Sequence, residues 1–332
     1  MIKPGVTAIL VACGILVLYR FVDINLFRID VTKKTSNLLQ SRFKNDLPHE
    51  NGLILFNTGT LGIDEIQKQL DTLLSFYPAN LGVNLCYLSE AERRKIQQKR
   101  GLVICECGSG AIARSSVMVN EDNSVTRFAA NSSMLFEIKL SRGWLDLVER
   151  KNEVERINFR GRHSYLEMEL KNADGFDPEF IQGKTVLVGY LGDQISEDIV
   201  DFKQTHITPL NPEHGQQYIS PDMYELEISA NIISMIWEKE FINEIPGVIR
   251  ILTILAFSIC TAASCSLIRT RWIVLNVLLS LVAFIFFVIL GGLLIVVAFE
   301  FGYFLELDEL PLILIVTTIS ASLPTFRAVK AH

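Results

Sequence analysis

Four carboxylates stand close together in one stretch of the chain: Asp193, Glu197, Asp198 and Asp201. Oxygen-rich clusters of this kind suit a hard cation, and they equally suit a solvated acidic loop. Thr208 follows, ahead of Pro209-Leu210. Asp201 as acceptor and Thr208 as donor are spaced to tie this loop to the next helix. The other chemistry-bearing residues are scattered. His206 and His214 have no Cys or Glu partner at ligand spacing and read as surface histidines. Cys105 and Cys107 are two apart, on one side of a predicted strand, with no second pair to complete a metal site; they read as core thiols. With Cys86 they make an odd set that predicts no complete disulfide framework. No nucleophile elbow, P-loop or zinc motif occurs, and no nucleophile, base and orienting group fall together. The expectation is a protein that is not an enzyme and has no cofactor.

The elements that must position these residues can be read from hydrophobic spacing. Leu53 to Phe56 is a continuous apolar run that ends in Asn57-Thr58-Gly59-Thr60, the pattern of a buried strand running into a loop. Ile63, Ile66, Leu70, Leu73 and Leu74 recur at helical spacing. Leu81 to Tyr87 is a second strand and carries Asn84. Ser89 and Glu92 form a capping box that opens a polar helix bearing Arg93, Arg94, Lys95, Lys99 and Arg100, and Leu102 to Cys105 is a third strand. Strands alternating with helices predict an α/β domain with a mostly parallel sheet and flanking helices.

From Ser115 to Leu170 the pattern changes. It becomes a hairpin around Asn120-Glu121-Asp122-Asn123, a partly helical stretch over 135–150, and two alternating strands at Ile157–Arg160 and Tyr165–Leu170. Asn131-Ser132-Ser133 has the form of a glycosylation acceptor, which matters only in a secretory eukaryotic setting. Lys184 to Gly189 returns as a buried parallel strand. Ligands of open sheets bind beyond the carboxyl ends of the strands, and Asn57, Asn84, Asp193, Asp201 and Thr208 fall there. An amphipathic helix over Met223–Phe241 then carries Ser229 and Asn231.

The 332 residues carry a net charge of −6, which argues against a nucleic-acid partner, since phosphate binding needs a concentrated basic face. Four apolar runs are predicted to span a membrane, which takes about 20 residues for ~30 Å of hydrocarbon. They are Val6–Tyr19 (extended by Phe21 and Val22), Ile249–Ile268, Trp272–Phe299 and Leu310 to about Phe326. The first reads as an uncleaved anchor. Two alternatives stand beside it: a cleaved signal peptide, for which no small-residue site is evident, and a lipoprotein box at Leu10-Val11-Ala12-Cys13. Lys3, Arg269, Arg271, Arg327 and Lys330 flank the spans on one side, and Glu300, Glu306, Asp308 and Glu309 on the other. Cytoplasmic loops are rich in Lys and Arg, so both termini are expected in the cytoplasm of a bacterial inner-membrane protein, with the middle of the chain outside. The expected organisation is an anchor over 1–22, an extracytoplasmic α/β domain over 23–245, and a three-helix membrane region with a short cytoplasmic tail over 246–332. No catalytic carboxylate or histidine lies at mid-span, so an ion path is not expected.

The order Gly183-Lys184-Thr185-Val186-Leu187-Val188-Gly189, Asp201, Thr208-Pro209-Leu210, Ser229-Ala230-Asn231-Ile232-Ile233, Pro246 and three spans resembles the CHASE family of extracellular sensory domains, second type. The resemblance implies a ligand-sensing domain on a bacterial membrane anchor, with a small extracytoplasmic ligand. Family members commonly have an Asp where this chain has Asn84 and a His where it has Ser229, and many carry an output module after the last span; here the chain stops at His332. Signalling is therefore expected to pass to a separate membrane protein or to another copy of this chain. The alternative is an accessory subunit of a larger envelope complex that has kept the scaffold and lost ligand binding.

Overall fold

A computed structural model describes residues 52–96, 99–107, 115–160, 164–195, 199, 203–211, 220–267, 273–305, 307, 310–311 and 313–319. The predicted leading anchor, Glu197, Asp198, Asp201, His214 and the Arg269–Arg271 loop lie outside them. The described residues fall into two compact units that divide between Ile242 and Asn243.

The first unit opens with β1 (Leu53–Asn57), α1 (Ile63–Ser75), β2 (Asn80–Asn84), α2 (Glu90–Arg93) and β3 (Leu102–Ile104). There follow β4 (Val117–Val119), β5 (Val125–Ala129), α3 (Phe136–Ser141), α4 (Trp144–Arg150), β6 (Val154–Arg156) and β7 (Leu166–Glu169). A 3-10 turn at Leu170–Gly175 leads to α5 (Pro178–Ile181), β8 (Thr185–Gly189), β9 (Thr205–His206), β10 (Met223–Tyr224) and α6 (Glu225–Glu238). Five strands pair in the order β3-β2-β8-β1-β7, and every pairing among them is parallel. The α/β class with a mostly parallel sheet is thus observed.

Strand alternation sends Ile54, Phe56, Leu81, Val83, Val186 and Val188 to one face, where α1 residues Ile66, Leu70 and Leu73 cover them. Leu53, Leu55 and Leu187 point to the other, under Phe136 and Leu140 of α3 and Leu226, Ala230 and Ile233 of α6. Such two-sided burial explains why these strands read as unbroken apolar runs.

The capping box at Ser89 forms: Ser89 N donates to Glu92 Oε2 at 3.0 Å and Glu92 N to Ser89 Oγ at 3.4 Å. The helix it opens is one turn long, shorter than the basic run suggested. The hairpin forms between β4 and β5, and β6 adds to it as a third antiparallel strand. Ile157–Arg160 is not a strand. It leaves the small sheet because Arg160 N donates to the side chain of Asn231 at 2.7 Å.

The amphipathic pattern expected for the late helix is not what forms: every residue of α6 from Leu226 to Ile236 is buried. One face lies on the parallel sheet, and Ile228, Ile232, Met235 and Ile236 on the other pack against Val125 and Phe128 of the small sheet.

The second unit consists of β11 (Asn243–Glu244), α7 (Gly247–Leu267), α8 (Ile273–Glu300) and β12 (Tyr303–Phe304), followed by helical residues at 310–311 and 313–319. Among the described residues, α7 and the Leu275–Ala298 part of α8 are long and apolar enough to cross a membrane. β11 and β12 pair in parallel, Asn243 with Tyr303 and Glu244 with Phe304, so the end of α8 returns to the start of α7. Ile254, Leu305, Leu307, Leu310, Ile313 and Leu314 form the core there. The buried hydroxyls of Ser258, Thr261 and Thr317 each donate to the carbonyl four residues back, at 2.7–2.8 Å. This satisfies them without water.

Gly82 marks the tightest layer contact of the first unit. A Cβ there would stand 2.4 Å from Leu140 Cδ1, 2.9 Å from Leu187 Cδ2 and 3.0 Å from Phe136 Cζ. Gly82→Ala is expected to destabilise this unit by about 1 to 3 kcal/mol through overpacking. Gly175→Ala, where a Cβ meets nothing within 4 Å, is expected to stay within about 0.5 kcal/mol. Chemical denaturation of both variants, followed by tryptophan fluorescence, checks the contrast.

Candidate functional site

The parallel register lines up the carboxyl ends of four strands. Gly189 of β8 lies opposite Asn84 of β2 on one side and Asn57 of β1 on the other, and Asn57 lies opposite Glu169 of β7. Two polar networks grow from this row.

The first is centred on Asn57, which is fully buried. Its Oδ1 accepts from Gly59 N at 3.0 Å and Leu191 N at 2.9 Å, and its Nδ2 donates to Gly192 O at 3.0 Å. Glu169 Oε1 accepts from Asn57 Nδ2 at 3.3 Å and from Ile195 N at 2.9 Å. Asp193 is exposed, and its carboxylate accepts from Tyr190 Oη at 3.0 Å. The loop after β8 can fold back this closely because Gly59 and Gly192 take positive φ, 51° and 99°. A Cβ on Gly59 would stand 2.9 Å from Asp193 O. Asn57 therefore spends its hydrogen-bonding capacity on shaping the loop that carries Asp193.

The second network involves the end of β2, the segment before β4, α3 and α6. Asn84 Nδ2 donates to Glu225 Oε1 at 3.3 Å, and its Oδ1 accepts from Cys86 N. Glu225 opens α6. Glu137 of α3 is fully buried. It accepts from Ser115 Oγ at 2.9 Å, Ser116 N at 2.7 Å and Ser229 Oγ at 2.8 Å. Burial, and then the charge of Glu137, push the Glu225 carboxyl above its ordinary range. Burial likewise pushes the Cys105 thiol far up, with Glu137 and Glu225 adding to it, so Cys105 is inert as a nucleophile. Sequence reasoning missed Glu137 and Glu225. Both stand in the first turn of a helix, where an acid is ordinary.

The remaining expected residues go elsewhere. Asn231 is buried inside α6, donating to Glu227 O at 2.7 Å and accepting from Arg160 N. Thr208 does bind a carboxylate, and the carboxylate is Asp222: Thr208 N and Oγ1 each donate to it at 2.6 Å. The anticipated partner, Asp201, is outside the described residues. His206 is buried in β9 with Nδ1 2.9 Å from Asn123 Oδ1, which overturns its reading as a surface histidine. Among the described residues no group of three or more His, Cys, Asp and Glu is placed to hold a metal.

The cysteine reading also needs correction. Cys86 and Cys107 form a disulfide, with Cα atoms 5.6 Å apart, and Cys105 remains a buried thiol. β3 ends at Ile104, so strand alternation does not extend to Cys107.

Removing the Asn57 amide leaves Gly59 N and Leu191 N buried without their acceptor, so Asn57→Ala is expected to cost about 2 to 4 kcal/mol, read from denaturant midpoints. A second prediction concerns pH. Burial lowers His206 to about 4 and raises Asp222 to about 6, where hydrogen bonds from Thr208 and Asn211 only partly offset it. The unfolded chain binds the extra proton of His206 between about 4 and 6.5, so that term makes stability rise with pH. Asp222 holds its proton longer when folded, so its term makes stability fall from about 3.8 to 6. The two nearly cancel. His206→Asn removes the rising term, on the order of 3 kcal/mol, and its melting temperature is expected to fall between pH 4 and 6 while the parent's stays nearly level.

No protein-family model, no curated protein and no solved structure matches this chain.

Proposed function

We propose that this chain is a membrane-anchored extracytoplasmic sensory domain of the second CHASE type, without enzymatic activity of its own, that passes its state to a separate membrane partner or another copy of itself. The observation that carries the reading is the course of α6. Its first two turns bring Glu225 and Ser229 into the strand-end network, its residues from Leu226 to Ile236 are buried between two sheets, and the chain runs from its end through residues 239–246 into α7. A buried helix of this kind responds to a change at one end as a rigid element, by shifts of about 1 to 2 Å. A small ligand would act beyond the carboxyl ends of β1, β2 and β8, near Asn57, Asn84 and Asp193. Both termini are cytoplasmic in this reading, with four spans in a bacterial inner membrane. The basic residues at Arg269, Arg271, Arg327 and Lys330 support that orientation, as does the Cys86–Cys107 disulfide, since such bonds persist in oxidising compartments.

A second reading, an accessory subunit of an envelope complex, is favoured by a different observation. Leu145 and Val148 of α4 are 76% and 48% exposed, and Met118 and Val119 of the edge strand β4 are 41% and 50% exposed. Apolar side chains on an unpaired strand edge invite a partner. In this reading the strand-end networks serve only the scaffold.

Two experiments test these readings. In cells, alkylation of the denatured chain is expected to tag two more thiols after reduction than before, and the Cys86→Ser/Cys107→Ser variant to lose that difference; both thiols free in the parent would place the domain in a reducing compartment and end the orientation. Cross-linking in native membranes, followed by identification of what is attached, is expected to capture a membrane partner or a second copy. A monomeric chain with nothing attached would sink both the sensory and the accessory readings.

A further inference from the structure

The first unit has two unlike ends. Beyond the carboxyl ends of its parallel strands stand the carboxylates of Glu169, Asp193 and Glu225. At the amino ends a different set is gathered. Thr185 N donates to Gly52 O at 3.0 Å, Gly183 N to Tyr77 O at 3.2 Å and Ala79 N to Lys184 O at 2.8 Å. The Arg142 guanidinium donates to Ala79 O at 3.1 Å and to Asn80 Oδ1 at 2.9 Å, which holds the junction of α3 and α4 beside the loop that enters β2. The end of α6 arrives at the same place. A Cβ on Gly143 would stand 2.0 Å from Ile236 Cγ2, the Trp237 indole donates to Ser141 O, Lys239 pairs with Asp146, and Arg150 lies 4.3 Å over the Phe241 ring.

This end carries Tyr77 and Leu145, the two most exposed large apolar side chains among the described residues of the unit, at 77% and 76%. Val148 follows Leu145 at i+3 and shares its outward side, whereas Leu147 is buried. Trp144 beside them is half-buried. Apolar side chains grouped among polar ones mark a surface that something else covers, and the course of the chain says what. After Ile242 it continues in sequence to α7, which is long and apolar enough to cross a membrane. Gly52, ahead of β1, is reached from the apolar run Val6–Tyr19. Both connections to apolar segments leave the unit from the end that carries Tyr77 and Leu145. Charge agrees with this. The exposed Arg142 is bonded to neutral oxygens, Asp146 pairs with Lys239, Glu149 acts on the same lysine, and Glu238 and Glu240 pair with Arg160. A layer of phosphates thus meets no row of uncompensated acids here, in contrast to the carboxyl ends of the strands.

We infer that the amino-terminal end of the parallel sheet rests on the phospholipid surface. Leu145 and Val148 enter the boundary between headgroups and acyl chains. Tyr77, Trp144 and Arg142 lie at headgroup level, where aromatic and basic side chains are favoured. The inference rests on the membrane-anchored reading and gives that reading a face, since the strand ends bearing Asn57, Asn84 and Asp193 then point away from the bilayer.

Photocrosslinking tests it in the full chain in its native membrane, with p-benzoylphenylalanine placed singly at Tyr77, Leu145, Gln194 and Phe286 and the adducts identified by mass. All four positions are exposed, Gln194 in the loop after β8 and Phe286 in the apolar part of α8. Phospholipid adducts are expected at Tyr77, Leu145 and Phe286 and are expected to be lost at Gln194. Lipid at Phe286 but missing at Tyr77 or Leu145 would overturn the docking and leave the membrane-anchored reading standing. Attachment of Tyr77 and Leu145 to a second copy or to another protein would overturn it too and hand the patch to the accessory reading. Lipid at Gln194 to the same extent as at Tyr77 would show that the unit has no preferred face. No lipid at Phe286 would end the reading on which the inference stands.

Discussion

Burial of α6 from Leu226 to Ile236 is the constraint from which most of the first unit follows. A helix pressed between two sheets has no water for its polar side chains, and a buried polar group without a partner costs roughly 1 to 3 kcal/mol. α6 carries several such groups, and each is met from a different direction. Asn231 reaches Glu227 O within the helix and draws Arg160 N from the loop after β6. Ser229 donates to Glu137 of α3. The Trp237 indole N–H donates to Ser141 O, at the end of the same helix α3, at 3.0 Å. The buried guanidinium of Arg160 pairs with Glu238 and Glu240 where the helix stops. Satisfying one helix thus fixes the position of α3, of the loop beyond β6 and of the segment before β4.

The scaffold was legible in the sequence because its signals are local. The runs Leu53–Phe56 and Thr185–Gly189 are apolar at successive positions, which a strand covered on both faces requires, and the i, i+3, i+4 recurrence from Ile63 to Leu74 names α1. The late helix shows where such reading stops. Ser229, Asn231 and Ser234 interrupt its apolar residues, and polar interruptions are the sign of a solvated face. Here they are buried, and Ser229 and Asn231 meet partners far away in the chain, Glu137 and Arg160. The candidate site was legible by half for the same reason. Asn57 and Asn84 were placed by the rule that strand ends carry function, while Glu137 and Glu225 were hidden because an acid in a first helical turn has an ordinary explanation. Thr208 was assigned Asp201, which lies outside the described residues, and it donates to Asp222 on the β10 side of the loop, a closure that spacing alone does not reveal.

The two networks at the strand ends differ in what they leave available. Around Asn57, donors and acceptors match, backbone groups predominate, and two glycines at positive φ admit a close approach that any Cβ would block. Such a network resists change. Around Glu137 and Glu225 the acceptors are side chains, the donors are side chains and the N–H groups of Cys86, Ser116 and Val117, and the network joins elements that are separate in sequence. Side-chain clusters of buried acids without a cation are held by protons and by hydroxyl orientation, and both are open to conditions outside the fold.

That difference has a direction along α6. Its C-terminal end is pinned by the Arg160 ion pairs, by the Trp237 indole and by a left-handed cap at Lys239 whose N–H returns to Ile236 O and whose Nζ meets Asp146. Its N-terminal end meets Asn84 through Glu225 and Glu137 through Ser229, contacts in which no described guanidinium or ammonium takes part. Between the two ends the helix is buried from Leu226 to Ile236, and side chains packed in this way do not absorb a displacement continuously. The residues after it, 239–246, continue in sequence to α7, which is long and apolar enough to cross a membrane.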